Sequence, residues 1–190
     1  MITSNILFGT SNKHKLEEAV SIFKETGIEI EHYPVELIEL QETSLERIAR
    51  YSLEQLPETK KEIFVEDTGL FIESLNNFPG PYASHAFKTL GNDGILKLLE
   101  GINNRNAYFE SYIAFRDKKG TITTFSGRCN GKISLVKEGK LWGFDPIFIP
   151  IDKELNSESK TFAQLGNEIK NKLSHRSKAL ISFKNFFQMN

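Results

Sequence analysis

The chain has 190 residues, 39% hydrophobic and 26% charged, with a formal net charge of −1 at pH 7. That is enough chain for one well-cored globular domain, and the near-neutral balance argues against bulk nucleic-acid or membrane binding, which takes a basic excess or stripe. A single cysteine, Cys129, excludes an internal disulfide framework; the opening Met1-Ile2-Thr3-Ser4-Asn5 has no signal-peptide pattern and no apolar run reaches membrane-spanning length, so a cytoplasmic protein with a buried, inert thiol is expected.

Ile6-Leu7-Phe8 predicts a buried strand feeding a polar turn, Gly9 to Lys15. That turn opens a helix with Leu16, Ala19, Val20 and Phe23 on one apolar face and Gly27 as its stop. A second strand is expected over 28–33. Thr43 and Glu46 predict a capping box for a second helix that carries Leu45, Ile48, Ala49 and Leu56 and runs to about Pro57. A third strand, Ile63-Phe64-Val65, gives way at Glu66-Asp67 to a turn.

Beyond Leu70-Phe71-Ile72, the breakers in Asn76-Asn77-Phe78-Pro79-Gly80-Pro81 predict an irregular loop before a helical region marked by Ile95, Leu98 and Leu99 and ended by Gly101. Alternation over 107–115 and 121–127, with Asp117-Lys118-Lys119-Gly120 as the turn, predicts an antiparallel hairpin, joined by a separate strand near 132–136. Ala179, Leu180, Phe183 and Phe187 predict a C-terminal helix from Ser174. The expected fold is mixed α/β: a central sheet flanked by helices in a single domain over 1–190, with two lobes and a substrate cleft between them.

Several constellations carry chemistry. Adjacent carboxylates at Glu66-Asp67 repel unless a cation neutralises them, and hard oxygen ligands suit Mg²⁺; a solvated strand end is the plain alternative. The turn from Thr10 to Lys15 combines the free N–H groups of a helix start with hydroxyl, amide and ammonium donors, which suits a phosphate, although the same residues also make an ordinary helix cap. No Walker A pattern is present. Glu39, in the apolar-leaning stretch Leu37 to Glu42, is a candidate third oxygen ligand beside an equally natural surface reading.

Trp142-Gly143-Phe144-Asp145-Pro146 makes a flat apolar slot with polar edges that fits a purine, one of its two rings being expected to pack the core. Ser174 as an N-cap sets His175 and Arg176 in the first turn of a helix, where cations oppose the dipole and call for an anionic or accepting partner.

Taken in order, Thr10-Ser11-Asn12-Lys13-His14-Lys15, Val65-Glu66-Asp67-Thr68-Gly69-Leu70, Phe78-Pro79-Gly80-Pro81-Tyr82, Trp142 to Phe148, Thr161-Phe162-Ala163 and Ser174-His175-Arg176 resemble the inosine triphosphate pyrophosphatase (Ham1-like) nucleotide hydrolases. The resemblance implies a homodimer that needs Mg²⁺ and hydrolyses ITP, dITP and XTP to the nucleoside monophosphate and pyrophosphate. It also implies that Thr10, Ser11, Asn12, Lys13, His14 and Lys15 hold the triphosphate, with Thr68 as a further contact, and that Glu39 and Asp67 bind Mg²⁺ with Glu66 nearby. Asp67 is then the residue that orients or deprotonates the attacking water, with Lys15 also catalytic. Trp142, Gly143, Phe144 and Asp145 would contact the base, and Lys170, His175 and Arg176 would read its edge. Glu36 and Glu42 are close alternatives to Glu39, and Arg47 stands where relatives bring a lysine toward the phosphates.

Overall fold

The computed structural model describes residues 4–24, 26–38, 40–151 and 159–189. The described strands are β1 (Ser4–Gly9), β2 (Ile28–Tyr33), β3 (Glu62–Ile72), β4 (Pro79–Gly80), β5 (Asn106–Arg116), β6 (Ile122–Ile133) and β7 (Phe148–Pro150). The helices are α1 (Lys13–Phe23), α2 (Leu45–Glu54), α3 (Ala83–Thr89), α4 (Gly91–Leu98), α5 (Phe162–Leu173) and α6 (His175–Met189). The sheet runs β2-β1-β3-β5-β6-β7, with β4 on β3. β1 is parallel to β2 and β3, whereas β4 and β7 pair antiparallel to β3 and β6. The sheet is therefore mixed, as the pattern of βα units followed by hairpins predicts.

The described residues pack into two compact units. The first comprises the chain up to Asp67, residues 111–127 and the chain from Arg176. Side-chain alternation splits its core over two sheet faces. Ile6, Phe8 and Phe64 face Ala19 and Phe23 of α1 and Ala179, Leu180 and Phe183 of α6. Leu7, Ile63 and Val65 face Ala49 and Leu53 of α2. In-register pairing of Phe8 with Phe64 stacks their rings at 4.3 Å, and Phe183 packs against Phe23, Phe64, Phe115 and Phe125. Burial on both faces explains why β1 and the start of β3 are apolar runs rather than alternating ones.

The second unit, 68–110 and 128–175, gathers Leu70, Ile72, Phe109, Cys129, Ile133 and Phe148 from its strands with Ala86, Ile95, Leu99, Phe162 and Leu173. Cys129 is buried, as expected. Gly131 permits β6 and β7 to approach, since a Cβ there would lie 2.4 Å from the Ile149 carbonyl oxygen.

Several expectations are corrected. β3 continues without a break from Glu62 to Ile72, so the acid pair lies inside a strand rather than at its end. Gly69 causes no turn there; it admits β4, its would-be Cβ lying 2.8 Å from Gly80 O. The α2 cap is Ser44, whose side chain accepts from Arg47 N, while Thr43 N–H and hydroxyl donate to Glu42; the helix ends at Glu54, short of Leu56. The expected strand at 121–127 continues unbroken to Ile133 as β6, because alternation persists through Arg128, Cys129, Asn130 and Gly131, and residues 134–136 of the separate strand expected after it are not extended. The segment after Ile72 forms a short 3-10 turn and β4 rather than an irregular loop. Val20 is exposed although it shares the predicted apolar stripe. α5 was not anticipated; Thr161 and Gln164 start it with a reciprocal capping box.

Candidate active site

In the first unit, β1 delivers the chain into the turn at Thr10. The turn is anchored by backbone: Thr10 N donates to Tyr33 O, and His32 Nε2 donates to Thr10 O at 2.8 Å. Asn12 is the N-cap of α1, its Oδ1 accepting from the N–H groups of His14 and Lys15. Thr10 Oγ1 accepts from Asn12 N at 3.1 Å. Ser11, Lys13 and His14 stay exposed, and His14 Nδ1 lies 3.6 Å from Glu17. The turn singled out as a candidate phosphate site is a helix cap in the structure: Asn12 shapes the loop, while Ser11 and Lys13 face solvent.

Lys15 points the other way. Its Nζ lies 2.7 Å from Glu66 Oε2 and donates to Glu66 O at 3.0 Å. Glu66 Oε1 accepts from Arg176 Nε at 3.2 Å and from the Ser111 hydroxyl. Arg176 Nη1 lies 2.7 Å from Glu18 Oε2. Burial alone would push the Glu66 carboxyl up, but Arg176, Lys15 and Ser111 together hold it well below the usual carboxylate range. Arg176 is likewise held above its ordinary value, Glu66 and Glu18 outweighing burial. The anionic partner that the dipole argument requires for Arg176 is therefore within the protein.

Strand alternation turns Asp67 to the opposite side from Glu66, and it is half-buried where Glu66 is buried. Thr68 is half-buried beside it in sequence. Glu39 lies outside the described residues. Of its alternatives, Glu36 is exposed and Glu42 pairs with Arg47 at 3.3 Å.

The second unit holds the remaining candidates. Asp145 is buried and receives Lys170 Nζ at 2.7 Å. Lys170, only 1% exposed, also lies over the Trp142 ring at 4.8 Å. Phe144 packs edge-on against Phe87 and is the core-facing ring of the pair, while Trp142 is half-buried. Gly143 has φ +64, and its carbonyl accepts from Asn92 Nδ2 at 3.1 Å. His175 stacks on Phe109 with ring centroids 4.5 Å apart.

Four contributors escaped the sequence reading: Glu18, Ser111, Asn92 and Phe109. Glu18 carried a usable signal, since it follows Lys15 by one helical turn. The other three come from distant segments and look like ordinary strand or helix residues.

A family model described as the Ham1 family matches residues 6–186. The chain belongs to the Ham1 family. It is 46% identical over 187 residues to a dITP/XTP pyrophosphatase of Methanopyrus kandleri, covering 97% of each chain. To a dITP/XTP pyrophosphatase of Thermococcus kodakarensis it is 42% identical, over 97% of this chain and 98% of that one. The solved Ham1 protein from Coxiella burnetii superposes with a TM-score of 0.79 at 25% identity, covering 99% of this chain and 100% of that one. The Ham1 resemblance seen in the ordered motifs and the mixed α/β fold are both borne out.

Proposed function

We propose that this chain is a Mg²⁺-dependent pyrophosphatase that hydrolyses ITP, dITP and XTP to the nucleoside monophosphate and pyrophosphate, acting as a homodimer. The full-length match to relatives named dITP/XTP pyrophosphatase carries the reading: the chain is a nucleoside-triphosphate pyrophosphatase of the Ham1 family. No described helix is long and apolar enough to cross a membrane.

The donor set is compatible with Mg²⁺. Among the described residues no three His, Cys, Asp or Glu side chains gather to hold an ion. Mg²⁺ does not need such a cage, since it takes one or two carboxylates and completes its shell with water and substrate phosphate. Asp67 would hold it, together with Glu39; Glu66 is committed to Lys15 and Arg176 and contributes negative charge from beneath. When bound, the ion would neutralise phosphate charge and lower the pKa of nearby water.

In the proposed reaction a water oxygen attacks the α-phosphorus, the bond to the α–β bridging oxygen breaks, and pyrophosphate leaves. Asp67 orients the water and accepts its proton. Ser11 and Lys13, exposed where α1 begins, with the Lys15 ammonium held beside Glu66, would hold the phosphates in line, which is most of what phosphoryl transfer asks of a protein. Base choice would be read at the start of α6, where Arg176 or a backbone N–H would donate to a keto oxygen at purine position 6. Adenine presents a donor to those donors, a mismatch of about 1–3 kcal/mol or roughly five- to 150-fold. Trp142 would stack on the base while Lys170 and Asp145 fix it from behind.

Turnover of ITP, XTP, dITP, ATP and GTP, with and without Mg²⁺ and with pyrophosphate resolved from orthophosphate, tests all of this together. Pyrophosphate from the 6-keto substrates ITP, dITP and XTP in preference to ATP, only with Mg²⁺, is expected. Orthophosphate as the product, equal turnover of ATP, or binding without turnover would overturn the reading.

A further inference from the structure

The first unit buries a cluster of five interacting side chains, of which Lys15, Glu66 and Arg176 have a place in the reading above and Glu18 and Ser111 have none. Its formal charges cancel, two carboxylates against an ammonium and a guanidinium. Glu66 is the junction: Lys15 reaches Oε2, while Arg176 Nε and the Ser111 hydroxyl converge on Oε1. With both oxygens engaged from different directions, the carboxylate cannot rotate without breaking a contact, and its orientation sets where the Lys15 ammonium sits. Glu18 acts one step further back. It holds the far end of the Arg176 guanidinium at 2.7 Å, and it lies one turn after Lys15 on α1.

The first two turns of α1, which follow the candidate anion-binding turn, are therefore tied twice: through Lys15 to β3 and through Glu18 to α6. Buried ion pairs seldom stabilise a fold more than apolar residues of the same size, so stability alone is a weak reason to bury four charges here. Fixing a cation that must meet phosphate is a better one, because a loosely held ammonium forfeits the preorganisation on which charge stabilisation depends.

We propose that Glu18 and Ser111 are positioning residues for phosphate binding, acting through Arg176 and Glu66 on the Lys15 ammonium. This rests on the hydrolase reading above. The test is a pair of double-mutant cycles read as affinity for α,β-methylene ITP, a non-hydrolysable analogue, by calorimetry in the presence of Mg²⁺. Thermal stability is measured on the same samples. Ser111→Ala and Glu18→Gln should each weaken binding about tenfold when Lys15 is intact and less than about twofold in a Lys15→Met background, because residues acting as a unit are non-additive.

A merely structural role would not give that pattern: equal losses in both backgrounds, or no loss at all in a folded variant, would overturn the proposal. Should Ser111→Ala fail to fold, Glu18→Gln carries the test alone, its side chain lying partly at the surface at 11% exposure. Failure of the wild-type chain to bind the analogue or turn over ITP sinks the hydrolase reading itself. Wild-type binding with additive losses sinks only the positioning proposal.

Discussion

Arg176 and Glu66, 110 positions apart in the chain, meet side chain to side chain at 3.2 Å, with 2% and 1% of their side-chain surfaces exposed. The contact joins the first turn of α6 to the middle of β3. Removing either charge strands the other in a medium that solvates it poorly, so the pair is far costlier to break than to replace as a whole.

Glu66→Gln should accordingly lower unfolding stability by about 3–5 kcal/mol, since Lys15 and Arg176 both lose their shared carboxylate. Urea unfolding measures it. A loss below about 1 kcal/mol would mean that the two cations find other partners.

The pH dependence has a definite sign. Glu66 in the folded chain is held below its ordinary value of 4.5. A depressed folded pKa contributes stability that is present above the unfolded value and lost as pH falls toward the folded one. Stability should therefore fall below about pH 4.5, and Glu66→Gln should flatten that part of the profile. Parallel slopes for the two proteins would assign the acid loss to other carboxylates.

Asp67→Asn keeps the shape of a half-buried side chain and removes its charge. Turnover should fall by at least about a thousandfold while the unfolding midpoint moves little, because Asp67 is assigned to the reaction and not to the core. Full activity in the variant would contradict its role with water and metal.

Lys170 and Asp145 form the second buried pair, at 2.7 Å. Lys170→Met removes the cation paired with the buried Asp145 carboxylate and should cost about 3–5 kcal/mol; adding Asp145→Asn should recover part of it, as neither charge then remains. Chemical denaturation of the two single variants and the double variant checks the coupling. Additive losses would show that the contact contributes nothing of its own.

Gly139 sits at φ +83, and a Cβ there would lie 2.6 Å from the backbone carbon of Ala163. Gly91, at φ +63, has nothing within 4 Å of the same position. Alanine at Gly91 should cost only the left-handed backbone penalty of about 1–2 kcal/mol, whereas at Gly139 it should cost clearly more, because the start of α5 has to move. Thermal melts of the two variants make the comparison.

Local pattern carried most of the fold. β2 begins and ends where its sequence says, α1 starts at its Asn12 cap, and the Asp117 to Gly120 turn closes a hairpin whose five-residue link is too short for a parallel crossover. Period, caps and turn chemistry involve residues a few positions apart, so one sequence suffices to see them. The same holds for the family, whose motifs recur in order along the chain.

What no local pattern carries is which partner a charge finds. Read in sequence, Glu66 and Asp67 are a like pair inviting a metal, and His175 and Arg176 are cations at the wrong end of a helix. Folding separates the first pair by strand alternation and brings Arg176 and Lys15 onto Glu66, with Ser111 from β5 and Glu18 from α1 completing the set. The sequence by itself determined most of the elements, the ordered motifs that resemble the family, and the candidate residues. Only the tertiary structure decided which of those residues are bound to one another, because burial converts a weak, screened surface attraction into a strong demand for a specific neighbour.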